Sequence, residues 1–294
     1  MLQARWFLIC VASLAAAAPA HAKTMAEVLA ASKPSDWRPL DPANTLYVEW
    51  DAGRVVIELA PEFAPGTIAN VKTLVRQRYF DGLAFIRSQD NYVVQWGDPA
   101  EAKRSLGAAK KTVPAEFSRA AKGLTFTPLN NVDAYAPETG FVGSFPAARD
   151  TKSNSAWLAH CYGMVGVGRD NAADTANGSE IYVVIGHGPR HLDRNVPLIG
   201  RVVQGMDLLS VIPRSRATMG FYEKAEERTP LRSVRLAADV PEAERAHLEV
   251  LRSDTQTFTD LIEARRNRTE EWFLVPAGHI DVCNVPLPVR ERGK

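Results

Sequence analysis

The stretch Phe85-Ile86-Arg87-Ser88-Gln89-Asp90-Asn91-Tyr92-Val93-Val94-Gln95-Trp96-Gly97-Asp98 sets a cation and an amide among aromatic and aliphatic groups. Most of it reads as one strand, with Tyr92 and Val94 alternating against Val93 and Gln95. A period of two turns successive side chains to opposite faces of a sheet. With a loop over 88–91 resetting the register, one face gathers Phe85, Arg87, Val93 and Gln95. A guanidinium and a carboxamide fill a core poorly. They suit a groove that holds a peptide bond out of water.

Working outward, Leu46, Val48 and Trp50 alternate, Asp51-Ala52-Gly53 turns the chain, and Val55, Ile57 and Leu59 alternate again, which predicts a β-hairpin. Ile68, Val71, Leu74 and Val75 recur at spacings of three and four after Pro65, the stripe of an amphipathic helix. Downstream, Asn177-Gly178-Ser179 opens a strand over 180–185, and 197–203 and 233–237 read as further strands. Met206, Leu209 and Ile212 suggest one short helix between the last two. Many short strands with only two helices argue for a mostly-β barrel plugged at its ends. Residues 123–160 hold Pro128, Pro137 and Pro146 and are expected to form a long ordered loop inserted in that domain. In the tail, Leu248, Leu251, Phe258, Leu261 and Ile262 fall on one helical stripe, so a helix is expected within 240–268, with Asp239 capping it and Pro241 in its first turn. The tail reads as a packed extension more than as a helix awaiting a partner.

The chain opens with Arg5, an apolar run from Trp6 to Ala18 and Ala20-His21-Ala22, the anatomy of a cleaved secretory signal peptide. The run is short of the ~20 residues that span a bilayer. The expectation is an exported, periplasmic monomer without a membrane span once the signal is removed. The segments are then 1–22 signal, 23–45 N-terminal extension, 46–238 barrel domain and 239–294 C-terminal extension. A net charge of +1 gives no reason to expect nucleic acid or an acidic membrane as partner, and 46% hydrophobic residues suit a chain with a sizeable core. Beyond Cys10 in the signal, Cys161 and Cys283 can either pair or stand as two buried thiols, and both readings stay open.

Blocks in register across about 46–237 resemble the cyclophilin peptidyl-prolyl isomerases. Tyr79-Phe80-Asp81-Gly82 followed by Phe85-x-Arg87 is similar to the family's approach to its catalytic strand. Gln95-Trp96-Gly97-Asp98-Pro99 resembles its Q-G-G-D-P, Asn177-Gly178-Ser179-Glu180-Ile181-Tyr182 its N-G-S-Q-F-F, and His191-Leu192-Asp193 its W-L-D. Gly200-Arg201-Val202-Val203-Gln204-Gly205-Met206 resembles its G-K-V-x-x-G-M. The resemblance implies a closed antiparallel eight-stranded barrel capped by two helices, with a helical C-terminal extension outside it. It implies that Arg87 is the catalytic cation and Gln95 a substrate-orienting amide. Phe85 would support them, and Tyr92, Val93, Tyr182 and Leu192 would hold the proline ring. Gly168 and Arg169 would lie where backbone pairs with the bound peptide. Proline-containing polypeptides are the implied partners, and no cofactor or metal is implied. Departures fall mostly on the apolar walls: Ile86, Val93, Tyr182, His191 and Val196 each replace another residue type, as do Glu180 and Arg169.

Such chemistry needs no nucleophile or base. Resonance gives the amide a rotational barrier of ~18–20 kcal/mol. A catalyst has only to favour the twisted imide, whose nitrogen becomes a better hydrogen-bond acceptor than in the planar ground state. A second reading is a weakly active or inactive binding module that grips proline-containing segments. Hydrolysis has little support, since the chain has neither G-x-S-x-G nor H-E-x-x-H. His187, His191 and Asp193 are too loosely spaced to assign a metal.

Overall fold

The computed structural model describes residues 23–98, 104–268 and 270–293. The signal-peptide reading over 1–22 and Pro99 of the quoted blocks lie outside the described residues. Eight strands form the main sheet: β1 (Thr45–Trp50), β2 (Gly53–Leu59), β3 (Ala84–Ser88), β4 (Val93–Gly97), β5 (Met164–Val167), β6 (Glu180–Val184), β7 (Leu198–Gln204) and β8 (Ser233–Leu236). Their order is β8-β1-β2-β7-β5-β6-β4-β3, every neighbouring pair antiparallel. The expected hairpin is β1–β2, paired from Thr45↔Glu58 to Trp50↔Gly53. The sheet curls around a core that includes Leu46, Ile57, Phe85, Trp96, Val165 and Ile199.

Helix α1 (Pro65–Arg76) lays Ile68, Val71, Leu74 and Val75 on that core. Its first turn has no capping side chain of its own. Glu116 supplies the acceptors instead, taking hydrogen bonds from the backbone N–H of Gly66 at 2.8 Å and Thr67 at 2.7 Å. A carboxylate there satisfies orphan donors and sits at the positive end of the helix dipole. Helix α2 (Met206–Ser210) starts after Gly205, whose φ of 91° few other residues would adopt.

The barrel is not closed, which corrects the expectation of a closed one. The edge strands β3 and β8 do not pair with each other. Residues 213–232 run along β3 in their place. Leu231 donates its N–H to Leu83 O at 2.7 Å, Phe85 to Thr229 O at 2.9 Å and Tyr222 to Ile86 O at 3.0 Å. Pro230 has no N–H to give, and a tight turn at Thr218–Gly220 breaks the run, so these contacts stay isolated bridges. The result is a curled eight-stranded half-barrel whose seam is filled by an irregular segment.

The insertion is not a loop. Strands Arg119–Ala120, Ser155–Leu158, Phe145–Asp150, Glu138–Val142 and Thr127–Pro128 form a five-stranded sheet in that order. Its central hairpin turns at Gly143 and Ser144, with φ of 56° and 81°. Two consecutive residues at positive φ make a turn whose twist matches the flanking strands. Pro128 ends its strand and Pro137 lies just outside one, where a missing donor is tolerated, and Pro146 is the second residue of Phe145–Asp150, beside the hairpin turn.

The tail also departs from expectation. Leu248–Leu251 is a strand between Trp37–Pro39 and Val289–Glu291, and the helix begins only at Gln256 and ends at Arg266. Its N-cap is Thr255, whose hydroxyl accepts the Phe258 N–H at 3.2 Å, so Asp239 and Pro241 do not start it. A three-residue gap fits a helix face, but Leu248 and Leu251 take strand geometry because partners distant in sequence are there to pair with them. Phe258, Leu261 and Ile262 do form the buried stripe. Val28, Trp37, Phe141, Leu158, Phe258 and Ile280 share one cluster with Val93, Tyr182 and Val184 on the outer face of the main sheet. N-terminal, inserted and C-terminal segments thus cover one side of the half-barrel together. Cys161 and Cys283 form a disulfide across this junction, with Cα atoms 4.9 Å apart.

Candidate active site

The quoted stretch folds as two strands joined by a turn over 89–92, not as one. Asn91 takes a φ of 48° there, and Tyr92 belongs to the turn. In the β3–β4 ladder Phe85 opposes Trp96 and Arg87 opposes Gln95, with an irregularity between Phe85 and Arg87. Such a bulge sets two residues against one and resets the alternation. Phe85 therefore points into the core, edge-on to Trp50 at 5.2 Å and Trp96 at 5.8 Å between centroids. It does not share the face of Arg87, as the alternation had implied. It backs the strand from behind. On the next strand Tyr182 opposes Gln95 and Val184 opposes Val93, so Arg87, Gln95 and Tyr182 form a row across the sheet.

That row borders a cleft of about 1230 Å³, lined by Arg87, Gln95, Gly168, Arg169, Tyr182 and Leu192 among others. Val93 shares the face of Gln95 but is buried in the outer cluster. Tyr92 packs at the border, its ring stacked with His191 at 6.4 Å. The Gly168 N–H is spent on Glu180 O at 2.9 Å, and the Arg169 guanidinium bonds Asn195 O and Asp170 O, each at 2.7 Å.

Arg87 is held from several sides. Its Nε donates to Met219 O at 2.6 Å and its Nη2 to Gln89 Oε1 at 2.5 Å. Nη1 makes only a long contact of 3.4 Å to Gln95 Oε1. The rings of Phe221 and Tyr92 lie 5.0 and 5.3 Å from its central carbon, a cation–π arrangement. Among the described residues no ion pair ties it to a carboxylate. Burial lowers its pKa from the ordinary value, while Tyr92 and Glu180 act in the opposite direction. A guanidinium keeps its charge under such pressure.

Gln95 is oriented by its neighbours. Its amide nitrogen donates to Glu180, which leaves Oε1 facing Arg87. Burial raises the Glu180 pKa above its ordinary 4.5, with the Gln95 hydrogen bond opposing and Asp170 and Asp98 adding to the rise. The folded chain therefore binds this proton more tightly than the unfolded chain does. Glu180 then costs stability as pH climbs from the usual carboxylate range through the raised value. Glu180→Gln should flatten that slope and raise the melting temperature at neutral pH. Melting curves from about pH 4 to about pH 8 check this, and a variant that is less stable only at neutral pH refutes it.

The residues missed at the level of sequence come from 213–232, where Met219, Phe221 and Tyr222 line the cleft. The compact apolar group Met219-Gly220-Phe221-Tyr222 in a polar segment was the available signal. Gly220 is needed for the close approach, since a Cβ there would fall 2.6 Å from the Gln89 side chain and φ is 77°. Among the described residues no set of His, Cys, Asp and Glu is arranged to hold a metal ion, and no helix is long and apolar enough to cross a membrane.

Comparison with known proteins extends this picture. A probable peptidyl-prolyl cis-trans isomerase of Brucella suis is 28% identical over 188 residues, covering 64% of this chain and 81% of the relative. The human peptidyl-prolyl cis-trans isomerase-like 1 is 24% identical over 213 residues, 72% of this chain and 99% of its own length. The crystal structure of cyclophilin AquaCyp293 from Hirschia baltica superposes with a TM-score of 0.69 at 27% identity, over 91% of this chain and 97% of the other. That overlap reaches well outside the half-barrel, into the covering segments. The sequence model of the family described as "Cyclophilin type peptidyl-prolyl cis-trans isomerase/CLD" matches residues 45–237. Since that match runs from β1 through β8 and contains the whole Arg87–Gln95–Tyr182 row, this chain belongs to the cyclophilin-type peptidyl-prolyl cis-trans isomerases.

Proposed function

We propose that this isomerase turns over Xaa-Pro bonds in exported polypeptides and so assists their folding, with Arg87 as the catalytic cation and Gln95 as the orienting amide. The observation that carries the reading is the state of Arg87. It is cationic, unpaired with any carboxylate among the described residues, immobilised through Nε and Nη2, and free to offer Nη1 beside Gln95. The proline nitrogen acquires its lone pair only as the amide twists, so a donation from Nη1 is stronger in the transition state than in the ground state. Gln95 contacts the rotating carbonyl, while Tyr182 and Leu192 bury the ring. Tyr92 and Val93 take the supporting places described above, and Gly168 and Arg169 flank the peptide.

Action in an oxidising, exported compartment is supported by the Cys161–Cys283 disulfide, a bond that reducing cytosol disfavours. The signal-like composition of residues 1–22 points the same way. A binding module with slow turnover is the second reading. It is favoured by the two Arg87 nitrogens already engaged within the protein. Exchange NMR on a short Xaa-Pro peptide separates the two. Faster cis-trans exchange with wild type, lost in Arg87→Ala, supports the enzyme. Peptide binding without faster exchange supports the module.

A further inference from the structure

We propose that His160 is a positioning residue for the proline pocket, holding Tyr182 and, through Asp193, the turn that carries Leu192. The inference rests on the reading above and assigns part of its specificity to a buried network behind the pocket. The Tyr182 ring lies directly over Gly166, where any Cβ would overlap the ring carbons and the hydroxyl. The phenol crosses this gap in the sheet and its hydroxyl meets His160 Nε2 at 2.9 Å. The two ring planes lie within 11° of each other with centroids 6.4 Å apart, so the hydrogen bond runs nearly in the plane of both rings. His160 Nδ1 lies 2.9 Å from Asp193 Oδ1, which also accepts the His160 backbone N–H at 2.9 Å. Asp193 Oδ2 accepts from Arg190 Nε at 2.6 Å, and Arg190 reaches Asp133 of the insertion at 3.1 and 3.3 Å. The side chains of His160, Asp193, Arg190 and Asp133 are at most 5% exposed.

The protonation pattern follows from these partners. Asp193 is ionised, held so against its burial by His160 and Arg190. Burial keeps His160 neutral, so its one proton sits on Nδ1 facing the carboxylate and Nε2 is an acceptor. Burial also keeps the Tyr182 hydroxyl protonated, so Tyr182 donates to Nε2. The hydroxyl is thereby turned away from the cleft, and a docked proline meets a phenyl-like wall at a fixed depth. Leu192 lies between Arg190 and Asp193 in the same short turn. One network therefore sets two walls of one pocket, and its far end is anchored in the segment that interrupts the half-barrel.

The test is a titration of an Xaa-Pro peptide against wild type, His160→Leu, His160→Gln and Tyr182→Phe, read as KM where turnover is seen and as Kd where it is not. His160→Leu should raise KM or Kd roughly 3- to 10-fold with kcat nearly unchanged, the size of one lost hydrogen bond. His160→Gln can still donate to Asp193 and accept from Tyr182, and should recover most of the loss. A folded His160→Leu with unchanged KM, or a Gln variant no better than Leu, overturns the proposal. Where His160→Leu does not fold, Tyr182→Phe and the nitrogen-15 spectrum of wild-type His160 decide. A weakened Tyr182→Phe and a neutral, Nδ1-protonated ring support it, and unaltered binding or an Nε2-protonated ring overturns it. Failure of the catalytic reading looks different: wild type then binds the peptide without accelerating its exchange, whatever His160 does.

Discussion

Arg87→Ala should lower kcat/KM for Xaa-Pro isomerisation by about 10- to 150-fold while the protein stays folded. The figure is one charge-assisted hydrogen bond, roughly 1.5–3 kcal/mol, converted at ~1.4 kcal/mol per factor of ten. The loss should fall on kcat, because the bond is made to a nitrogen that becomes an acceptor only in the twisted state. Arg87→Lys should recover little of it. The guanidinium divides its work: Nε holds Met219 O, Nη2 holds Gln89, and Nη1 faces the cleft. A lysine ammonium is a single compact charge without that planar fork, so it can satisfy the Met219 carbonyl or face the substrate but not do both in one geometry. Exchange NMR gives the rates, and circular dichroism checks the fold. Full activity in Arg87→Ala would remove the cation from the mechanism.

Replacing both Cys161 and Cys283 with serine should cost about 2–5 kcal/mol of unfolding free energy. The bond closes a loop with a sequence separation of 122 residues, and chain-entropy reasoning puts cross-links of this span near the upper end of that range. The same bond ties the C-terminal segment to the residue beside His160, so its loss reaches the pocket as well. Cys283 Sγ would stand 3.2 Å from a Cβ at Gly188, two residues before Arg190. Urea unfolding of oxidised, reduced and double-serine protein should show reduced and serine forms shifted equally to lower midpoints. Coincident midpoints for all three would show that packing alone holds the covering segments in place. The covering cluster does bury apolar side chains such as Phe141, Leu251, Phe258 and Leu261 at no more than 1% exposure. Each contributes on the order of 1.5–3 kcal/mol. The disulfide therefore adds to a packed interface and is not its sole tether.

Where local pattern and tertiary partner agree, elements lie where the periodicity predicts them. The β1–β2 hairpin, α1 with its Ile68–Val71–Leu74–Val75 stripe, and the strands after Asn177 and before Met206 lie where their periodicity put them. Errors arose where a long-range partner overrode a local signal. Leu248 and Leu251 have helical spacing yet lie in a strand, Leu251 opposite Trp37 and Leu248 opposite Glu291. Prolines in 123–160 suggested a loop, yet strands form between them. Phe85 belonged by alternation to the face of Arg87, but a bulge moved it to the core.

The order of residues by itself determined the composition of the site: a guanidinium and an amide near each other in the chain, with an aromatic and a leucine in later strands and turns. Those identities define which hydrogen bonds and apolar contacts are chemically available, whatever the fold. Only the folded state decided which of them meet. The bulge at Ile86, the seam segment bringing Met219 and Phe221 to Arg87, and the path from Tyr182 through His160 to Asp133 all join residues far apart in sequence. Periodicity reports a residue's own face and nothing about what packs against it, so those partnerships exist only once the chain has closed on itself.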